Sequence, residues 1–312
     1  MSDAVRVGVI GVGQLGSRHA RLYSEIPEAR LVGVADIDSE RARAIGESFG
    51  CRAVTDFNDL LDDIDAASVA VPTLVHHEVT MRLVERGVHV LVEKPIAGSL
   101  DEARAMVELA ERRGLVLAVG HTERHNPAVE ALLDQKKDPR FVEVHRLGSF
   151  SPRSLDIDVV LDLMIHDLDV VSALVGRDVV SLEAVGVPVL TPRVDIANAR
   201  LRFEGGCVAN LTASRVSSEK VRKLRVFERD RYVSLDYQAQ EAVRYQLVPA
   251  EGPRPGIARD ELPVTKEEPL KRELQDFLEA LSGGKAARVT GEEGLRALDL
   301  ALRVVRSMQS NG

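Results

Sequence analysis

The chain has 312 residues, enough for two domains, and 45% of them are hydrophobic, enough to fill a sizeable core. Its formal net charge of −8 argues against a general nucleic-acid or acidic-membrane binder. No apolar run approaches the ~18 residues that cross a bilayer, and Met1-Ser2-Asp3 opens no secretory pattern, so a cytoplasmic protein is expected. Cys51 and Cys207 have neither CxxC nor metal spacing and fit isolated thiols in a reducing compartment.

The first third alternates strand and helix patterns. Val5 to Ile10 is an apolar strand run, followed by a glycine-rich turn and a helical pattern to about Ile26. Arg30 to Asp36 is a second strand, and Ser39 to about Phe49 a helix. Ala53-Val54 is a short third strand, and Asp65 to Val71, stopped by Pro72, a fourth. His76 to Glu85 is helical, and Val88 to Val92 is a fifth strand that ends on Glu93-Lys94-Pro95. Ser99, with Glu102 three residues on, caps a helix to Arg113, and Leu115 to Val119 is a sixth strand. Strands separated by helices imply parallel βαβ units, that is, a doubly wound sheet of Rossmann type.

Beyond about residue 121 the pattern changes to antiparallel strands. Asn198 to Phe203 and Cys207 to Thr212 flank Glu204-Gly205-Gly206, and Leu224 to Phe227 and Tyr232 to Leu235 flank Arg229-Asp230-Arg231, two hairpins. Ala242 to Val248 adds a strand, and the Pro- and Gly-rich stretch 250–256 is a loop. Helices near Pro269 to Leu281 and Glu292 to Met308 close the chain. The expected organisation is α/β: a nucleotide-binding Rossmann domain over 1–121, then an α+β domain with a large open, mostly antiparallel sheet over 122–290. The last helix, 291–309, is expected to pack back on the first domain.

In Gly11-Val12-Gly13-Gln14-Leu15-Gly16, the first glycine permits the tight turn, the second lets backbone approach a pyrophosphate, and the third allows helix–strand packing. Gln14 and Leu15 sit inside that turn, and the following helix N-terminus faces anions with its N–H groups. Asp36, at the end of the second strand, suits an adenosine ribose 2′-OH and repels a 2′-phosphate, so NAD is favoured over NADP. The competing reading of Asp36 is a helix-capping acid, although Asp38 and Ser39 also suit that task.

With these residues in view, the chain resembles the glucose–fructose oxidoreductase / inositol dehydrogenase (Gfo/Idh/MocA) family. The resemblance rests on Gly11 to Gly16 with His19, Val71-Pro72-Thr73 with His76, Glu93-Lys94-Pro95, Gly120 to Pro127, and Asp162 to Asp169. Within that family, Arg146-Leu147-Gly148 and Ser151 to Val160 look like the sugar-nucleotide 3-dehydrogenases. The resemblance implies an NAD-dependent dehydrogenase acting on a CH–OH group, with UDP-N-acetylglucosamine as implied substrate and a later aminotransferase as pathway partner. It also implies a homodimer or homotetramer. A UDP-GlcNAc uronate, inositol, a free sugar, or a non-catalytic NAD-binding regulator are the alternatives.

The same resemblance implies roles for residues. Lys94 matches the family's active-site lysine, and the bond before Pro95 is expected to be cis. Asp162 and His166 match its D-x-x-x-H, four residues apart and on one face if helical. Val71, Pro72, Thr73, His76, Glu93 and Lys94 are expected at the cofactor, although Thr73-Leu74 departs from the asparagine usual after that proline. His121, Arg124 and Asn126 are expected to line the substrate site. Arg153 and Arg215, with Arg124 and Arg193 behind them, are candidates for a diphosphate, which a guanidinium fork suits. Either His166 or Lys94 suits the base: imidazole titrates near neutral pH, and a buried lysine can lose its proton. His121 and His125 have the spacing of a zinc pair, but the glutamate is at the wrong offset and no third ligand is evident, so no metal is expected.

Overall fold

Strands apolar on both faces need cover on both sides, and the first 120 residues supply it by interleaving them with helices. The structure, a computed structural model, describes residues 4–135, 138–150, 157–249 and 256–310. The first elements are β1 (Val5–Ile10), α1 (Gly16–Glu25), β2 (Ala29–Ala35), α2 (Ser39–Phe49), β3 (Arg52–Val54) and β4 (Ala66–Val69). They continue with α3 (His76–Glu85), β5 (His89–Glu93), α4 (Leu100–Arg113) and β6 (Leu117–Gly120). All six strands pair in parallel in the order β3-β2-β1-β4-β5-β6. Strand order reverses between β1 and β4, and a doubly wound sheet opens its ligand crevice at the carboxyl ends there. The caps follow the residue chemistry: Asp38 accepts from Glu40 N and Arg41 N, and Ser99 with Glu102 forms a full capping box.

The second set comprises α5 (Pro127–Leu133), β7 (Phe141–Leu147), a π-helical turn Val160–Met164 running into α6 (Ile165–Val175), β8 (Val179–Val187), β9 (Ile196–Phe203), β10 (Val208–Ser214), β11 (Val221–Phe227), β12 (Arg231–Asp236), β13 (Glu241–Val248) and β14 (Gly256–Glu261). Its strands order as β14-β13-β12-β11-β7-β10-β9-β8, antiparallel except where β7 meets β10. β7, β9 and β10 alternate buried and exposed positions, so one face carries the core. Gly205 and Gly206, at φ 78° and 89°, make the β9–β10 turn that the sequence marks. The sequence did not mark α5, β8 or β14. α5 is seven residues long, too short for a periodic signal, and β14 is an edge strand with no fully buried position. The loop expected at 250–256 lies outside the described residues except for Gly256.

Two units result: residues up to Thr122 together with Glu268–Leu298, and Glu123–Glu267 together with the residues from Asp299 on. The domain boundary expected at 290 is therefore corrected, because α7 (Pro269–Leu281) belongs to the first unit. Its Leu270, Leu274 and Phe277 share one core with Val7, Val9, Leu22, Tyr23 and Val34. The last helix, α8 (Gly291–Ser310), divides between the units. Just before it, Val119 N bonds Val289 O, and near its end Ser307 Oγ accepts from Ala184 N. Among the described residues no helix is long and apolar enough to cross a membrane.

Phe277 is 1% exposed and sits in that core, so its truncation removes buried apolar packing. Phe277→Ala is expected to cost about 3–5 kcal/mol of first-unit stability, read by urea denaturation with tryptophan-free probes such as far-UV dichroism. A loss under about 1 kcal/mol would mean that α7 is not part of that core.

Candidate functional site

The glycine turn after β1 is shaped by contacts that exclude any side chain. A Cβ on Gly16 would fall 1.8 Å from Gly11 O, and one on Gly11, whose φ is 84°, would fall 2.8 Å from Ala70 O. The turn therefore lies directly against the start of the Val71-Pro72-Thr73 segment, bringing those two predicted cofactor elements together. A Cβ on Gly13 would meet nothing, so that backbone faces open space. Gln14 and Leu15 are exposed, and α1 begins at Gly16 with no side-chain cap. An open glycine backbone at an uncapped helix start fits a pyrophosphate.

Asp36 follows β2 directly, with its side chain buried. It is not the α2 cap, since Asp38 takes that place. One carboxylate oxygen accepts from Val12 N at 2.9 Å, the other from Asp38 N at 2.9 Å, and Arg41 Nη1 approaches both, at 3.1 and 3.3 Å. Asp36 thus ties the glycine turn to the end of β2, where a ribose-reading acid is expected.

Lys94 is half-buried at the carboxyl end of β5, and the Lys94–Pro95 peptide is cis as expected. Two residues expected at the cofactor stand beside it with partners in the protein interior. His76 is buried, with Nδ1 2.9 Å from Pro95 O and Nε2 2.9 Å from Val71 O. It is a strut between two strand ends: the neutral ring donates to one carbonyl, and only the imidazolium donates to both. Burial pushes its pKa down, against the pull of the carbonyls and of Glu93. Glu93 turns inward, with Oε1 3.1 Å from His19 Nε2 and Oε2 accepting from Lys94 N at 3.3 Å. Both residues expected at the cofactor thus also act as internal anchors. His121 is also buried, and its N–H bonds Val119 O.

In the second unit, Asp162 lies in the π turn, where Ile165 N bonds Val160 O five residues back, and half-buried His166 opens the α-helix that follows. The four-residue spacing thus spans a π-to-α junction and not a plain helical face. The two acids after His166 are both committed. Asp167 receives Arg146 Nε at 2.7 Å and Nη2 at 2.8 Å, and Asp169 receives Arg124 Nη1 at 3.1 Å. Arg146 also reaches Glu123, and its guanidinium lies 5.2 Å from the Tyr237 ring centroid. Burial works against the Arg146 charge, yet Asp167 and Glu123 raise its pKa well above the usual value.

Three residues expected at the substrate have protein partners. Arg124 is buried on Asp169, Asn126 caps α5 and donates to Tyr237 O, and Arg215 donates to Asp195, Ile157 O and Thr191. Asp195 is fully buried, yet Arg215 and the N–H groups of Leu190 and Thr191 outweigh burial and hold it well below the usual carboxylate range. Arg193 is exposed. Arg153 lies outside the described residues. The sequence reading missed Arg146 as an inward-facing strand residue and Glu273 on α7. The signal for Glu273 was present: it sits among Leu270, Leu274 and Phe277 on the buried face of α7.

Comparison with known proteins matches this arrangement. The GFO/IDH/MocA oxidoreductase model with an NAD-binding Rossmann fold matches residues 5–121, and the GFO/IDH/MocA C-terminal domain matches residues 128–230. The chain is 41% identical over 302 residues to a UDP-N-acetylglucosamine 3-dehydrogenase of Acidithiobacillus ferrooxidans, covering 96% of each protein. The solved structure of that enzyme aligns over 98% of both chains with a TM-score of 0.92 and 39% identity. An inositol 2-dehydrogenase of Rhizobium meliloti is 27% identical over 97% of both chains.

Because Arg41 already stands against Asp36, NADP acceptance needs only the loss of the carboxylate. Asp36→Ser is expected to tighten NADP binding by roughly tenfold, the worth of one charge-assisted hydrogen bond gained. Calorimetric titration checks it, and Asp36→Ser/Arg41→Ala should lose the gain. Unchanged NADP affinity in the single variant would refute the role given to Arg41.

Proposed function

The chain belongs to the GFO/IDH/MocA oxidoreductase family, and on that premise we propose that it oxidises the 3-hydroxyl of UDP-N-acetylglucosamine with NAD. The product is the 3-keto sugar nucleotide, whose carbonyl an aminotransferase can convert to an amine. The observation that carries the substrate is the 41% identity to a relative of that name across 96% of both proteins. The cofactor rests on the NAD-binding family model and on the open turn at Gly13 with Asp36 beyond it.

NAD, when bound, supplies the hydride acceptor. Gly11, Gly13 and Gly16 shape the backbone that receives its pyrophosphate, and Asp36 accepts from the adenosine ribose. The hydroxyl proton needs a base and the developing alkoxide needs a positive partner. His166 takes the proton and Lys94 stabilises the oxygen, or the two exchange these tasks. Asp162 orients His166 or binds a sugar hydroxyl. With Arg124 and Arg215 committed to Asp169 and Asp195, Arg153 is the remaining candidate of the pair first assigned to the diphosphate. The proposal puts the enzyme in the cytoplasm, with its nucleotide substrates.

The test is NADH formation with a panel of UDP-sugars, UDP-GlcNAc uronate, inositol and free sugars, with a ketone trap to pull the equilibrium. Turnover is expected with UDP-N-acetylglucosamine; a preference for inositol or a free sugar would refute the substrate, and NADH from none of them would favour a regulator. Lys94→Met and His166→Asn should each cut turnover by roughly 10²-fold while NAD affinity holds. Their combination should be little worse than the poorer single variant, as for groups acting as a unit. Near-normal turnover in either single variant would send the assignment to other residues.

A homo-oligomer completes the reading. Val185 and Val187 on β8, Leu247 on β13 and Ile257 on β14 are exposed apolar residues of the large sheet, and apolar strand surface of this kind is covered in assemblies. Sedimentation should give a dimer or tetramer, and a stable monomer at micromolar concentration would sink that expectation.

A further inference from the structure

Behind Lys94, three elements of the first unit bring titratable groups into one buried cluster. His19 comes from α1, Glu93 from the end of β5 and Glu273 from α7, and their ligand-type atoms all lie within 4.8 Å of one another. The arrangement is asymmetric. Glu93 accepts through both oxygens, from His19 and from Lys94 N. His19 is held on its other side by Ser68 Oγ at 3.0 Å, which also meets Tyr23 OH at 2.9 Å. Glu273 is 2% exposed, and neither of its oxygens makes a hydrogen bond among the described residues.

Two carboxylates this close in a dry interior cannot both ionise, so the cluster keeps a proton. It stays where the charge is least supported. Glu93 has donors and Glu273 has none, so Glu273 is the neutral member. Burial pushes the Glu273 carboxyl well up, and the charges of Glu93 and Asp276 push the same way, while the Thr122 hydroxyl opposes from beyond hydrogen-bond geometry. Among the described residues, Tyr23 on α1 also acts on Glu273, and His76 on α3 acts on Glu93.

We propose that Glu273 is a positioning residue for Lys94: as the neutral member of a buried carboxyl pair, it leaves Glu93 free to hold the Lys94 peptide and His19 together. This rests on the role given above to Lys94. Ionising Glu273 sets two negative charges against each other, and the one that can move is Glu93, whose displacement releases Lys94 N. The device therefore limits activity on the alkaline side.

Infrared spectroscopy of the intact protein with labelled glutamate tests the proton directly. The native protein should show a protonated carboxyl stretch at neutral pH that Glu273→Gln removes. Stability gives a second readout. A carboxyl whose folded pKa is raised contributes stability that is full below the unfolded value of ~4.3 and is lost as pH rises through the folded value. Glu273→Gln should therefore gain on the native protein as pH rises, in denaturation curves. In turnover, Glu273→Ala should lose about tenfold, the scale of a small misplacement at a reacting group. Glu273→Gln should restore turnover at neutral pH and move the alkaline limb upward.

An absent acid band with superimposed pH–stability curves overturns the proposal, as does Glu273→Ala turning over like the native protein. So does an acid band that emerges only after chelation, which would make the three groups a cation site. Normal turnover of Lys94→Met with the acid band intact overturns instead the role of Lys94 on which the proposal rests.

Discussion

At Gly16 the backbone lies so close to Gly11 O that a Cβ would stand only 1.8 Å from it. It seats the start of α1 on the turn after β1, and much of the candidate site follows from that seat. Three residues further, His19 falls beneath the sheet ends and meets Ser68 on β4 and Glu93 on β5. Another turn on, Tyr23 meets Ser68 and joins the core that α7 completes. A side chain at position 16 would lift α1 and with it the imidazole that anchors the strand end bearing Lys94. The glycine motif thus does two things at once: it leaves backbone open at Gly13, as a phosphate site requires, and sets the depth of a buried polar chain.

The second unit solves a different problem, the anchoring of an apolar helix that begins beside His166, the proposed base or its partner. α6 has Ile165, Leu168, Val170 and Val171 buried, and apolar packing alone tolerates small shifts. Asp167 and Asp169 remove that freedom, because a bidentate pair with Arg146 and a second pair with Arg124 fix direction as well as distance. Removing one partner of such a pair leaves a buried charge and costs about 3–5 kcal/mol. Position 166, between these tethers and the π turn, is therefore among the better-defined points of its unit.

Charge is handled by opposite means in the two units. The second unit neutralises buried carboxylates with arginines: Asp167 with Arg146, Asp169 with Arg124, Asp195 with Arg215. The buried carboxyl pair of Glu93 and Glu273 relies on hydrogen bonds to one member and a retained proton on the other. A retained proton leaves the cluster sensitive to pH in a way that guanidinium pairs are not, since arginine keeps its charge throughout.

Local patterns were enough for the parallel sheet, the glycine turn, Asp36, the capping box at Ser99 and the strand end at Lys94, because each depends on neighbours in sequence. The family was legible for the same reason: its motifs are short and occur in order. What the sequence could not give was the partner of each charged side chain. Nothing in the sequence pairs Arg124 with Asp169, Arg215 with Asp195, or the His76 ring with Val71 O and Pro95 O. The assignment of α7 failed likewise, since the helix joins a core built some 250 residues earlier. Periodicity reports which face of an element is apolar, and not which surface it meets. Pairings between distant residues are chosen by packing in three dimensions, so only the tertiary structure decided which polar groups face outward for chemistry and which hold the protein together.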